Sequence, residues 1–179
     1  MYKVPPRWLF LKIETDQGIV GWGEPIIEGK ADTVMAAVKE LMEQLLYKDA
    51  RLIEDHWNSM YRGGFYRGGP ILMSAISGID QALWDLKGKY FNAPVHELIG
   101  GKCRDKMDVY SWVGGDEPQV IIEEIKKVVD RGFHTVKING TGKLQYLDSF
   151  VEIDNLLERM SLIREYFGNE INVGIDFHG

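Results

Sequence analysis

Apolar and polar positions alternate and then recur in two distinct rhythms along the chain. In "RWLFLKIETDQGIVGWGE", residues 7–24, two apolar runs flank Thr15-Asp16-Gln17-Gly18, and Leu9, Leu11 and Ile13 fall on one face. Period-two alternation broken by a polar, glycine-ended turn predicts a β-hairpin. "ADTVMAAVKELMEQLL" places Val34, Val38, Leu41 and Leu45 on one helical stripe, and "AISGIDQALWDLKGK" does the same with Ile79, Ala82, Leu83 and Leu86. A hairpin followed by amphipathic helices is an α+β pattern.

After "APVHELIGGK" the rhythm becomes strand, helix, strand, helix, strand. "MDVYSWV" is the first expected strand, "FHTVKIN" the second and "INVGIDF" the third. Between them, "EPQVIIEEIKKVVDRG" is expected as a helix opening near Pro118 and stopping at Gly132. "SFVEIDNLLERMSLIREYFG" is the second helix, with Ile153, Leu156, Leu157, Met160 and Ile163 as its apolar stripe and Gly168 as its stop. Strands separated by helical crossovers pair in parallel. Such a unit belongs to a doubly wound sheet or a (β/α) barrel, and in both the chemistry collects at the carboxyl ends of the strands. "WVGGDEP" lacks the spacing of a dinucleotide-binding loop, which weakens a nucleotide-binding reading.

Composition narrows the function classes. With 179 residues, 45% hydrophobic and 11% aromatic, the chain can bury one core or two small ones. Its net charge of −6 is spread rather than blocked, so nucleic acid is not an expected partner. The single Cys103 permits no intrachain disulfide, and no run approaches the length of a membrane span; a soluble, cytoplasmic protein is expected.

Side chains two apart on a strand share a face, which groups Lys137 with Asn139 and Asp176 with His178 at the ends of successive strands. Polar pairs pointing the same way from otherwise apolar strands are costly unless a shared cavity partners them. The alternatives are a Lys137 that reaches solvent beside a turn, and an Asp176 that caps the next helix. His56, His96 and His134 read as structural or solvated. The near-repeat "YRGGFYRGGP" reads as a folded loop that either aims Arg62, Tyr66 or Arg67 at an anionic ligand or is a structural turn; RNA binding is the remoter reading.

Taken together, "GWGE", "FYRGGPILMSAISGIDQALWDLKGK", "PVHELIGG", "VKIN" and "IDFHG" resemble the mandelate racemase branch of the enolase superfamily, and within it the D-galactonate dehydratases. That resemblance implies an α+β capping domain over residues 1–106, lacking the family's first strand, then the first three strands and two helices of a (β/α)7β barrel from 107 to 179. Asp176 would match a carboxylate ligand of Mg2+, and His178 the general acid of acid-sugar dehydratases. Lys137, Asn139, Arg62, Tyr66 and Arg67 would bind the sugar acid. Where many members carry Lys-x-Lys, this chain has Lys137 and Asn139, which disfavours chemistry needing the second lysine as base. A proton beside a carboxylate is so weakly acidic that the enediolate left by its removal needs a hard cation, and hydroxide leaves as water only with a proton donor. The expected activity is conversion of D-galactonate to 2-dehydro-3-deoxy-D-galactonate by a homo-oligomeric parent. Dehydration of a gluconate- or mannonate-type acid, racemisation, or a non-catalytic binding module are the alternatives. The remaining metal carboxylates and the α-proton base belong to later strands, so the chain reads as an N-terminal fragment, inactive alone.

Overall fold

The computed structural model describes residues 1–115 and 117–177, and of Gln119 the backbone alone. The chain forms two compact units, Met1–Cys103 and Arg104–Gly179, each with its own apolar core.

In the first unit, β2 (Trp8–Glu14) and β3 (Val20–Gly23) form the expected antiparallel hairpin, with Leu11 opposite Gly23 and Glu14 opposite Val20. Its turn is closed by Gly18, whose N–H reaches the Thr15 carbonyl at 3.0 Å and whose φ of 77° a side chain would resist. A short edge strand that the apolar pattern did not reveal, β1 (Tyr2–Val4), pairs antiparallel with β2. Leu9 and Leu11 are buried beneath α1 (Ala31–Glu43), α2 (Ile53–Arg62) and α3 (Pro70–Phe91), together with Val34, Val38, Leu41, Leu45, Ile79, Ala82, Leu83 and Leu86. All the stripe residues expected of the two helices are therefore in the core. Each buried Val, Leu or Ile side chain among them contributes about 1.5–3 kcal/mol on leaving water.

α3 starts at Pro70, whose missing N–H costs nothing in the first turn, and ends at Asn92 in the left-handed conformation. Its buried stripe lies against β3 so closely that backbone meets backbone. A Cβ at Gly23 would fall 1.9 Å from the Gly78 carbonyl oxygen, and one at Gly21 2.1 Å from that of Ala82. Polar residues four apart on α3 then serve the open edge of β3: the Glu24 and Trp22 N–H groups donate to Gln81 Oε1 and Asp85 Oδ2, each at 2.9 Å, and Lys89 Nζ donates to the Val20 carbonyl at 2.8 Å. An unpaired strand edge is thereby satisfied by side chains. A one-turn helix, α4 (Val95–Leu98), follows.

The second unit is a parallel sheet in the order β4-β5-β6, with β4 (Ser111–Trp112), β5 (Thr135–Asn139) and β6 (Asn172–Asp176). The expected first strand over 107–113 contracts to two residues, since only Ser111 and Trp112 find ladder partners. Between the strands run α5 (Pro118–Asp130) and α6 (Val151–Phe167). Val113, Ile121, Ile125, Val136, Ile138 and Ile163 fill the core between sheet and helices. The α6 stripe differs from expectation: Ile153 and Leu157 are exposed, while Ile163 and the charged Arg159 are buried. Helical spacing had admitted every apolar residue within reach of one face, and the sheet covers only the last turns of it. The architecture is thus an α+β unit built on an antiparallel sheet, followed by a unit in which three parallel strands alternate with two helices.

Candidate active site

Burial along β5 follows its alternation: Val136 and Ile138 point into the helix-covered core, leaving Thr135, Lys137 and Asn139 on the other face. In β6, Val173 and Ile175 pack against the same core, so Asn172, Gly174 and Asp176 share the polar face. Parallel register sets Lys137 opposite Gly174 and Asn139 opposite Asp176. Chemistry-bearing side chains from two strands thus meet near the carboxyl end of the sheet.

Lys137 Nζ forms an ion pair with Asp176 Oδ2, although the two residues are diagonal rather than directly opposite in the ladder. The long lysine stem bridges that diagonal, and Gly174, lying between them on the neighbouring strand, puts no side chain in its way. Both side chains are about one-third exposed, at 31% and 29%. The hydrogen bond that Lys137 donates to Asp176 raises the lysine above its ordinary range against the opposing effect of burial, with the charges of Asp176 and Tyr110 adding to the rise, so Lys137 is an ammonium at neutral pH. Asn139 Oδ1 accepts a bond from Trp112 Nε1 at 3.4 Å, which orients the amide. Tyr110, Thr135, Lys137, Gly174 and Asp176 line a cavity of about 280 Å³.

Of the residues singled out from sequence, Lys137, Asn139 and Asp176 are therefore brought together. His178 lies outside the described residues. Arg62, Tyr66 and Arg67 belong to the first unit; Arg62 ends α2, Tyr66 is 89% exposed, and Arg67 Nε donates to the Gly64 carbonyl at 3.4 Å. His96 and His134 are exposed, and His56 is buried with Nε2 held by the Asp49 carbonyl at 2.8 Å, a structural role in keeping with expectation. The contributions of Tyr110 and Trp112 escaped the sequence reading, although their spacing of two beside a strand would have grouped them on Lys137's face.

The donor chemistry near Asp176 suits a hard cation. A carboxylate and, across the ladder, an amide oxygen are the ligand types that magnesium takes. Among the described residues no group of three or more His, Cys, Asp or Glu side chains gathers to hold a metal, so Asp176 would be one contributor to such a site. Among the same residues, no helix is long and apolar enough to cross a membrane.

Known proteins resemble this chain in sequence and in fold. The chain is 59% identical over 178 residues to the D-galactonate dehydratase of Cronobacter sakazakii, a match covering 99% of this chain and 47% of that protein. It therefore spans about half the length of that curated relative. Among solved structures, an enolase from Pantoea ananatis with bound D-gluconate and Mg superposes with a TM-score of 0.84 at 25% identity, over 94% of this chain and 49% of the other. An enolase superfamily member from Salmonella Typhimurium gives 0.83 at 28% identity, over 92% and 48%. The family model for the mandelate racemase/muconate lactonizing enzyme N-terminal domain matches residues 5–100. That match takes in more than half of the chain, including the hairpin and all three long helices of the first unit, and this chain belongs to the mandelate racemase/muconate lactonizing enzyme family.

Proposed function

We propose that this chain carries part of the active site of an acid-sugar dehydratase, a cytoplasmic hydro-lyase that converts D-galactonate to 2-dehydro-3-deoxy-D-galactonate and water. The observation that carries the reading is the meeting of Asp176 and Lys137 on one cavity-lining face at the strand ends, in a chain 59% identical to a D-galactonate dehydratase. Asp176 would hold Mg2+, with Asn139 beside it contacting the sugar acid; the ion, when bound, supplies the positive charge that makes a proton next to a carboxylate removable. Lys137 binds the substrate carboxylate as a fixed ammonium, its Nζ freed from Asp176 once that carboxylate is engaged elsewhere. His178 protonates the departing 3-hydroxyl so that it leaves as water. Arg62, Tyr66 and Arg67 contribute polar and aromatic contacts to the polyol. One carboxylate and one histidine do not suffice for this chemistry, so the 179-residue chain alone is inactive, and the whole enzyme works as a homo-oligomer.

A chimera in which this chain replaces the matching segment of the Cronobacter sakazakii enzyme tests the assignment. It should dehydrate D-galactonate in a Mg2+-dependent way, with D-gluconate and D-mannonate turned over far more slowly. His178→Asn in that chimera should abolish dehydration by about 100-fold or more while solvent exchange of the α-proton in D2O persists. Unchanged turnover in the variant would remove His178 from its role, and a preference for D-gluconate, the ligand held by the Pantoea ananatis protein, would move the substrate assignment to that acid.

A further inference from the structure

A buried charge on α6 has no part in the chemistry above. Arg159 is only 3% exposed, yet its guanidinium lies beneath the carboxyl ends of β5 and β6, where Nη2 donates to the Gly140 carbonyl at 3.0 Å. The N–H of the same glycine donates to the Asp176 backbone carbonyl at 2.8 Å. Gly140 is thus gripped on both sides, by the helix through its carbonyl and by β6 through its amide. Its α-carbon faces the Phe177 ring so closely that a Cβ would fall 2.8 Å from Cδ1. Desolvating a guanidinium is costly, and an apolar residue would fill the space without that cost. What the arginine adds is a fixed anchor for the turn that holds the Asp176 backbone.

We propose that Arg159 is a positioning residue for Asp176: through Gly140 it fixes the backbone from which the carboxylate is presented to the cation and to Lys137. The inference rests on the reading of Asp176 as a metal ligand. α6 supplies an internal control, because Arg164, five residues on, also serves backbone carbonyls, donating from Nη1 to Gly168 and Ile171 at 2.9 Å each. Those carbonyls precede β6, at the end of the strand away from Asp176. A merely structural arginine at 159 would behave like the one at 164.

The 179-residue chain, labelled with 15N, allows the comparison without turnover. In R159M the Gly140 amide should exchange with solvent at least about tenfold faster, and the Mn2+ concentration that half-broadens the Asp176 amide should rise about tenfold, the scale on which residues supporting a metal ligand act. R159K, which keeps a charge but loses the planar fork, should fall between wild type and R159M; it also carries the comparison if R159M does not fold. R164M should lower the melting temperature and leave both readouts at wild-type values. Equal effects of R159M and R164M, or wild-type values in the Arg159 variants, would overturn the proposal. If Mn2+ fails to perturb Asp176 in the wild type, the metal reading falls, and Gly140 exchange then decides by itself whether Arg159 positions that turn.

Discussion

Lys137 and Asp176 illustrate how a single pair takes on two roles. With the ammonium held against the carboxylate, any cation arriving at Asp176 must displace it. Lys137→Met should therefore tighten Mn2+ binding to the 179-residue chain several-fold in an electron paramagnetic resonance titration, and weakened binding would show that the lysine supports the metal rather than competing with it. A second residue-scale prediction concerns Asp49. Hydrogen bonds from the Arg51 guanidinium and then from its backbone N–H hold this carboxyl well below the usual carboxylate range. Because the folded-state value is depressed, the stability it provides is present above the unfolded value of about 4 and is lost as pH falls below it. Asp49→Asn should lower the melting temperature at pH 7, and the gap to wild type should close as the pH is taken below about 3. A gap independent of pH would show that the charge on Asp49 is not what matters.

At the scale of elements, the contact of α3 with β3 explains why the stretch "GIDQALWDLKGK" reads as it does. Gln81, Asp85 and Lys89 occur at intervals of four so that one helical face meets the strand edge, while Ala82 and Leu86 of the adjoining face close on Gly21. The glycines of "GWGE" are required by proximity. Gly23→Ala would drive a methyl into the Gly78 carbonyl, a backbone atom that cannot step aside, and should cost about 3 kcal/mol in urea denaturation. Gly29→Ala, with nothing within 4 Å but a φ of 72°, should cost only about 1 kcal/mol from left-handed strain. Equal losses at the two positions would refute the close-packing account. These elements were legible in advance because hairpin and helices each carry their own period. The edge strand Tyr2–Val4 was not, since three exposed residues have no alternation to display and are extended only by pairing with β2. The α6 stripe failed for the opposite reason: its apolar residues outnumber the positions that the sheet covers, and Arg159 takes one of those.

Across the whole molecule, the two units differ in how their sheets are covered. The antiparallel sheet of the first unit packs one face on three helices, a self-sufficient arrangement. In the second, α5 and α6 cover one face of a parallel sheet and Tyr110, Trp112, Lys137 and Asp176 share the other, half-exposed one. Parallel sheets are stable when both faces are buried, so β4–β6 should unfold at lower urea than the first unit. Trp112 is the only tryptophan of residues 104–179 and reports that transition by fluorescence, which Trp112→Phe should abolish. A single transition shared by all five tryptophans would refute the difference.

The sequence by itself determined the hairpin, the helices α1, α3, α5 and α6 and the strand–helix alternation of the second unit, the parallel sense of its sheet, the one-faced grouping of Lys137 with Asn139, and the family resemblance. These follow from periodicity, crossover length and motif, which are properties of neighbours along the chain. Only the tertiary structure decided that Lys137 reaches Asp176 across Gly174, that Trp112 orients Asn139, and that Arg159 is buried beneath Gly140. Those contacts depend on strand register and on the depth at which a helix packs, and both are settled by distances between residues 19 to 39 positions apart, on which local pattern is silent.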